Sequence, residues 1–234
     1  IKEIILNDGI KISTDRLAVS GGWSPTIHLS SHHRNKPIWN ESICGFVPGN
    51  DLPQGMSVVG AANGNMILSK CLEEGANVGS AIVESFGKQK PVILAPKVDS
   101  ESSVIEPFWY VLESRKRAWI DLQNDVTAKD IKIAFQEGFR SVEHFKRYTT
   151  LGMATDQGKT SNILGLAVMA KTSNKAIPEI GTTIYRPPYT PVPISALAGR
   201  NRGREFRPMR LTPSNNWANE NAATFVESGR RRYW

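Results

Sequence analysis

The residues best suited to bind an anion lie in a glycine-rich loop at 152–162. Gly158, Lys159 and Thr160 look like the end of a phosphate-binding P-loop, which requires the pattern G-x-x-x-x-G-K-[ST]. Gly152 and Gly158 enclose five residues, one more than this pattern allows, and no strong strand precedes them. We therefore reject a P-loop, although a lysine, a hydroxyl and glycine-rich backbone can bind phosphate without that fold. An ordinary solvated loop is an equally good interpretation.

A second glycine-rich turn, GAANG, begins at Gly60 and follows the short apolar run at 56–60, which is predicted to be a strand. From Asn65 to about Phe86 apolar residues recur at helical spacing. A strand, a glycine turn and a helix in this order present the helix N-terminus to a phosphate or ribose in α/β proteins. The full G-x-G-x-x-G pattern is absent. The motif alone therefore only weakly indicates a nucleotide site.

Metal and nucleophilic chemistry find little support in the sequence. Two cysteines, Cys44 and Cys71, are too few for a disulfide framework or a four-cysteine metal site. His32 and His33 lie in a polar stretch without a cysteine or carboxylate at ligand spacing. His144 is predicted to be a surface or packing residue. We assign no catalytic residue and no metal ligand.

The 152–162 loop lies among predicted helices. Residues 118–122 are predicted to form a strand, and Thr127 with Asp130 three residues later is typical of a helix N-cap with an acidic first turn. Gly138 should end that helix. One further helix is predicted to begin at Ser141, with Val142, Phe145 and Tyr148 facing inward. Another is predicted to cover the apolar residues 163–170.

Short strands are predicted near the start of the chain and an extended segment near its end. Alternating residues on both sides of Asn7-Asp8-Gly9 predict a β-hairpin. Residues 17–20 are predicted to form a further strand. Residues 178–213 contain seven of the fourteen prolines, so this segment should be extended and cover a surface.

Composition and charge argue against several classes of protein. The 234 residues are 40% hydrophobic and 22% charged, unlike collagen-like, coiled-coil or wholly disordered chains. Residues 200–234 hold eight arginines and three glutamates and so contribute +5 of the net charge of +7. This basic segment leaves a nucleic-acid-binding module open, although the remaining residues carry only +2.

Targeting and membrane segments are not expected. The chain has no apolar run near the roughly 18 residues that a membrane helix needs, and its first residues lack a signal-peptide core. A cytoplasmic location is predicted. The chain has no initiator methionine and begins directly with a strand-like alternation, so we interpret it as the middle of a larger protein.

Five stretches of sequence, in this order, resemble the α subunits of heterotetrameric sarcosine oxidases. They are DRLAVSGGWSPTIHL, VVGAANG, FRSVEHFKRYTTLGMATDQGKTSN, IGTTIYRPPYTPVPISALAGR and REFRPMRLTP. The resemblance covers nearly the whole chain. Opine oxidases, hydrogen cyanide synthase and two-subunit proline dehydrogenases are similar to its first half more than to its second.

The resemblance implies an α/β fold. It would be the C-terminal part of a flavoprotein-like fold with two dinucleotide-binding domains, joined to a small helical ferredoxin-like module that lacks its cluster cysteines. The implied divisions are an NAD/FAD-binding-like part at 1–90, a linker at 91–117, the helical module at 118–175, a proline-rich connector at 176–215 and the start of an aminomethyltransferase-like folate domain at 216–234.

The turn at Gly60 departs from typical flavoprotein relatives. Those relatives place an aspartate on the flavin ribityl chain where this chain has Ala61, and losing that carboxylate argues against FAD. The resemblance instead implies an NAD site lined by Gly60, Ala61, Met66 and Leu68. Met66 and Leu68 are also residues that a buried helix would carry, so a packing role stays open for both.

The helical module departs from its ferredoxin-like relatives in its ligands. Aligned with the cluster cysteines of those relatives are Asp121, Gln123, Asp156 and Ser161. Without thiolates these residues cannot hold a [2Fe-2S] cluster. In the family an FMN lies at the interface with the β subunit. We expect the Gly158–Ser161 loop, with Lys159 and Thr160, to bind its phosphate.

The resemblance also implies what the complete protein does. The complex, completed by β, γ and δ subunits, is expected to demethylate sarcosine oxidatively, passing electrons from FAD in the β subunit to FMN and oxygen. The one-carbon unit would pass to tetrahydrofolate in a C-terminal domain beyond this sequence. The α subunit of a related opine or amine dehydrogenase is the alternative, and a basic nucleic-acid-binding module is a remote one.

Overall fold

The chain divides into two compact units, Ile1–Tyr189 and Thr190–Trp234. A computed structural model describes residues 1–6, 8–31, 35–111, 116–185, 190–200, 203, 211–225, 227–228 and 232–233. The histidine pair His32-His33 and most arginines of the basic C-terminal segment lie outside these residues. Within the described part, no helix is long and apolar enough to cross a membrane.

The described strands pair as four antiparallel hairpins. They are β1 (Glu3–Ile5) with β2 (Lys11–Ser13), β3 (Ile38–Asn40) with β4 (Gly45–Val47), β5 (Trp119–Asp121) with β6 (Val126–Thr127), and β7 (Glu227–Ser228) with β8 (Arg232–Tyr233). The described residues therefore form no parallel sheet of the kind typical of a dinucleotide-binding domain.

The first hairpin confirms the turn predicted at Asn7-Asp8-Gly9. Gly9 has a φ of +84°, and the Asp8 carboxylate accepts a hydrogen bond from the Ile10 N–H at 3.0 Å. The strands predicted at 17–20 and 56–60 are wrong, because neither segment pairs with a strand in the described part of the chain. An extended segment becomes a strand only where a partner completes its hydrogen bonds.

Seven α-helices occur in the described residues. They are α1 (Leu68–Ser85), α2 (Ala128–Gln136), α3 (Val142–Thr149), α4 (Asn162–Ser173), α5 (Ile177–Ile180), α6 (Ile194–Ala198) and α7 (Asn215–Glu220). The helices predicted from Asn65, Thr127, Ser141 and 163 are confirmed. The extended segment predicted at 178–213 is wrong where α5 and α6 form. Proline favours the first turn of a helix. Pro178 lies in the first turn of α5, and Pro193 is the N-cap residue directly before α6.

The helix N-cap predicted at Thr127 is confirmed, and Asp130 completes it to a capping box. The N–H and hydroxyl of Thr127 donate to Asp130 Oδ2 at 2.8 and 2.6 Å, and the Asp130 N–H donates back to Thr127 Oγ1 at 3.4 Å. The hydrogen bond from the Thr127 hydroxyl is the main cause that holds the pKa of Asp130 below its usual value. The box ties β6 to α2, so the strand and the helix keep a fixed junction.

The hydrophobic core lies mainly in the helical module. Its most buried large side chains are Phe145, Ile131, Leu166, Met169 and Val168. Ile27 and Phe46 from the first part of the chain join the same cluster. The parts predicted at 1–90 and 118–175 therefore share one core, and residues 88–111 between them form neither helix nor strand.

One residue predicted to face this core does not. Tyr148 is 45% exposed and stacks on Phe139 with ring centroids 4.4 Å apart. The pattern placed Tyr148 one turn after Phe145, on the same face of α3. The short helix ends at the rim of the core, so the tyrosine ring covers a neighbouring aromatic instead of entering it.

Candidate cofactor site

The glycine turn at 60–64 is a single turn of 3-10 helix that leads towards α1. Gly60 is buried with a φ of +66°, and Gly64 has a φ of +91°. A Cβ on Gly64 would lie 2.7 Å from Cγ1 of Val47. Left-handed backbone and this close approach explain why glycine is required at Gly64.

A carboxylate on α1 closes this turn. Glu74 Oε2 accepts a hydrogen bond from the Gly60 N–H at 2.8 Å, and Oε1 accepts one from Asn63 Nδ2 at 2.7 Å. The side-chain amide of Asn65 also donates to Oε2. Burial alone would raise the pKa of the Glu74 carboxyl, but these hydrogen bonds hold it below its usual value. Sequence reasoning missed Glu74, although it lies one helical turn after Cys71.

The predicted NAD residues occupy two environments. Gly60 is buried and its N–H is bonded to Glu74. Ala61 is exposed, Met66 is half-buried and Leu68 is 48% exposed. These three residues present apolar surface, and their role at an NAD site stays a prediction.

The N-terminus of α1 already attracts a carboxylate. The Leu68 N–H donates to Glu101 Oε2 at 3.3 Å. Free N–H groups at a helix N-terminus favour anions. The Leu68 N–H can therefore donate a hydrogen bond to a cofactor phosphate only if the Glu101 carboxylate moves away.

The loop at 152–162 is built around Asn162. Its side-chain amide donates to Thr183 Oγ1 at 3.2 Å and is buried. A Cβ on Gly152 or Gly158 would lie 2.3 or 2.2 Å from Asn162 Oδ1, and both glycines have positive φ. The glycines that suggested a phosphate loop thus have a packing reason.

Two N–H groups of this loop are directed at a carboxylate of the loop itself. Asp156 accepts hydrogen bonds from the Gly158 N–H at 3.1 Å, the Thr160 N–H at 3.4 Å and the Thr160 hydroxyl at 3.0 Å. Lys159 and Thr160 are exposed. The loop converges on a negatively charged group, but a phosphate bound there would have to displace Asp156.

Polar contacts occupy the positions aligned with the cluster cysteines. Asp121 is 2% exposed, and its carboxylate accepts hydrogen bonds from the N–H groups of Gln123 and Gly152, both at 2.9 Å. Thr155 donates to Gln123 Oε1 at 3.4 Å. These bonds join β5 to the loop where a cluster would have joined them. No group of metal-ligating residues occurs in the part of the chain that the structure describes.

A cavity of about 340 Å³ lies between the β3–β4 hairpin and the junction of α4 with α5. None of the predicted site residues lines it. Trp39 and Trp109 form apolar walls, with Glu41 near Cys44 and two lysines among the remaining lining residues. Burial and the Glu41 carboxylate raise the pKa of the Cys44 thiol. Charges of both signs favour no single class of ligand.

The chain is similar over most of its length to several known proteins. The chain is 42% identical over 220 residues to the sarcosine oxidase subunit alpha of Rhizobium meliloti, which covers 93% of this chain. It is 36% and 37% identical to those of two Corynebacterium strains, P-1 and U-96, each over 98% of this chain. Residues 115–200 match the family described as the sarcosine oxidase A3 domain. Over at least 93% of its length the chain is thus similar to sarcosine oxidase α subunits.

The chain spans only about a quarter of the length of these relatives. It covers 22%, 24% and 25% of their lengths. Its structure is also similar to that of the L-proline dehydrogenase from P. horikoshii, with a TM-score of 0.66 and 20% identity, over 84% of this chain and 42% of that one. This likeness supports the predicted flavoprotein-like fold. The ferredoxin-like description of the helical module stays a prediction.

Proposed function

We propose that this chain is a segment of the α subunit of a sarcosine oxidase complex. The observation that carries the proposal is identity of 36–42% with sarcosine oxidase α subunits over at least 93% of the chain. The complete complex would demethylate sarcosine oxidatively, using FAD in a β subunit, FMN and oxygen, and pass the one-carbon unit to tetrahydrofolate. The γ and δ subunits would complete it. The segment itself would be scaffold and cofactor wall, without a catalytic residue.

The turn at 60–68 is the proposed NAD site. Left-handed backbone at Gly60 and apolar surface on Ala61, Met66 and Leu68 support it. The lack of a carboxylate at Ala61 removes the ribityl contact of the FAD relatives. Because the Gly60 N–H is bonded to Glu74, Gly60 would contribute backbone shape, while Ala61, Met66 and Leu68 would provide the contact surface.

The loop at 158–161 is the proposed wall of the interfacial FMN. Exposed Lys159 supplies a positive charge and Thr160 a hydroxyl, which supports phosphate binding at this surface. The carboxylate of Asp156, which holds the N–H groups of Gly158 and Thr160, opposes it. Lys159 and Asp156 should therefore change the affinity for FMN in opposite directions.

Oxygen consumption by the complex that contains the full-length subunit tests the activity. Sarcosine should support oxygen uptake, and opines should support much less. A complex that consumes oxygen with opines and not with sarcosine would instead indicate the related dehydrogenase. The isolated chain should turn over no sarcosine, and activity from it alone would contradict its assignment as a non-catalytic segment.

The remote alternative, a nucleic-acid-binding module, rests on the charge of residues 200–234. A titration with duplex DNA at increasing salt tests it. Binding through several phosphates weakens steeply with salt. An arginine-rich segment that faces a partner subunit should show no affinity for the duplex at any salt concentration.

A further inference from the structure

We propose that Glu74 is the positioning residue that holds the 60–65 turn in the shape that receives the cofactor. The inference rests on the proposed NAD site and assigns the residue that orders it. Glu74 lies on α1 and is separated in sequence from the turn that it contacts. Neither the turn motif nor the resemblance to sarcosine oxidases identifies it.

The contacts of Glu74 bracket the proposed cofactor lining. At one end of the turn its carboxylate accepts from the Gly60 N–H at 2.8 Å, directly before Ala61. At the other end it accepts from Asn65, directly before Met66. A third donor, Asn63 Nδ2, reaches Oε1 from the middle of the turn at 2.7 Å. The turn next to the lining residues Ala61 and Met66 is therefore held from both sides by one group.

Only a carboxylate satisfies all three donors. An ionised carboxyl group has two oxygens that only accept, whereas an amide offers one oxygen and an NH₂ group. Glutamine at position 74 would direct its NH₂ group either at the Asn63 amide, which bonds Oε1, or at the Gly60 N–H and the Asn65 amide, which share Oε2. In either orientation an NH₂ group of glutamine would replace an accepting oxygen opposite a donor.

Besides Glu74, two backbone hydrogen bonds within the turn and one from the Cys71 thiol to the Asn65 carbonyl at 2.9 Å hold it. Gly60 and Gly64 both have left-handed φ values, and Ala61 and Asn63 are exposed. Glycine loses more conformational freedom than other residues when it is fixed. A loosened turn would bind the cofactor more weakly because ordering it would then be part of the cost of binding.

The test uses the complex with the full-length subunit, stripped of NAD and titrated with NAD in a calorimeter. Glu74→Gln should raise the Kd for NAD roughly tenfold, the effect of losing about one hydrogen bond to a charged group. Glu73→Gln is the matched control, since Glu73 is an exposed neighbour on α1, and it should leave the Kd unchanged. Hydrogen exchange at residues 60–65 should become faster only in Glu74→Gln.

A double variant that exchanges the carboxylate and the amide between two contacting residues separates a positioning role from general destabilisation. In the double variant Asn63→Asp/Glu74→Gln the NH₂ group at 74 takes the place of Oε1 and can donate to a carboxylate at 63. Its oxygen, in the place of Oε2, still accepts from the Gly60 N–H and from Asn65, so part of the NAD affinity should return. Asn63→Ala, which removes one exposed donor, provides a milder variant should Glu74→Gln fail to assemble, and should raise the Kd about threefold.

The outcomes distinguish the two proposals. A wild-type complex that binds NAD, together with Glu74→Gln and Asn63→Ala variants whose Kd stays within twofold of it, would overturn the role of Glu74 and leave the NAD site intact. A wild-type complex that binds no NAD would overturn the site itself and with it this inference.

Discussion

The side-chain amide of Asn162 lies where a Cβ on Gly158 would have to stand. The distance from that Cβ position to Asn162 Oδ1 is 2.2 Å, far below a van der Waals contact. Gly158 also has a φ of +75°. The buried asparagine thus determines the shape of the loop. Its packing is enough to explain the glycines without a ligand.

Gly158→Ala should destabilise the chain by about 2 to 4 kcal/mol, because a left-handed backbone strain and a clash with Asn162 add. Gly138→Ala is the control: Gly138 has a φ of +95° but nothing within 4 Å of its Cβ position, so only the strain should remain, about 1 to 2 kcal/mol. Urea unfolding measures both. Equal losses for the two variants would show that the packing of Asn162 is unimportant.

Asp121→Asn should destabilise the junction between β5 and the loop. The carboxylate is buried and accepts from the N–H groups of Gln123 and Gly152, and such charged hydrogen bonds contribute about 1.5 to 3 kcal/mol. Asp125→Asn is the matched control, because Asp125 is exposed and asparagine tolerates its left-handed φ of +54°. Thermal unfolding should separate the two variants. A loss for Asp125→Asn as large as for Asp121→Asn would contradict this account.

The capping box of α2 should make stability depend on pH. The pKa of Asp130 is lowered in the folded chain, so its stabilisation is complete above the usual aspartate pKa of about 4 and is lost as the pH falls through the folded pKa. Asp130→Asn should cost about 1 kcal/mol at pH 7. The difference from wild type should shrink steadily below pH 4. A difference that stays constant down to acid pH would exclude the ionised carboxyl as its cause.

Lys159→Ala and Asp156→Asn should have opposite effects on FMN in the complex with the β subunit. Removing the lysine charge should weaken FMN retention, while neutralising Asp156, which now holds the loop N–H groups, should strengthen it. Flavin absorbance per complex after dialysis measures both. An unchanged FMN content in Lys159→Ala would show that the loop does not contribute to the FMN site.

Local patterns predicted the helices well. The Thr127–Asp130 capping box and the apolar run of α4 depend on neighbours within a few residues, and both are confirmed. The strand predicted at 56–60 is wrong because a strand depends on a partner that no local pattern names. The inward position of Tyr148 is wrong because α3 ends at the edge of the core.

The candidate site was predictable only in part. The turn and the loop stand out by their glycines, but the residues that hold them are distant in sequence. Glu74 bonds Gly60 from 14 residues away, and Asp121 bonds Gly152 from 31 residues away. Neither carboxylate belongs to a recognisable motif, so only the folded chain reveals that both glycine segments are closed by acidic side chains.

Native mass spectrometry of the purified complex that contains the full-length subunit tests the central claim most directly. We predict that this subunit is found with β, γ and δ chains, and that NAD, FMN and FAD are each present in the assembly. A subunit that purifies without partner chains and carries neither NAD nor flavin would contradict the proposed role of this segment as scaffold and cofactor wall of a sarcosine oxidase.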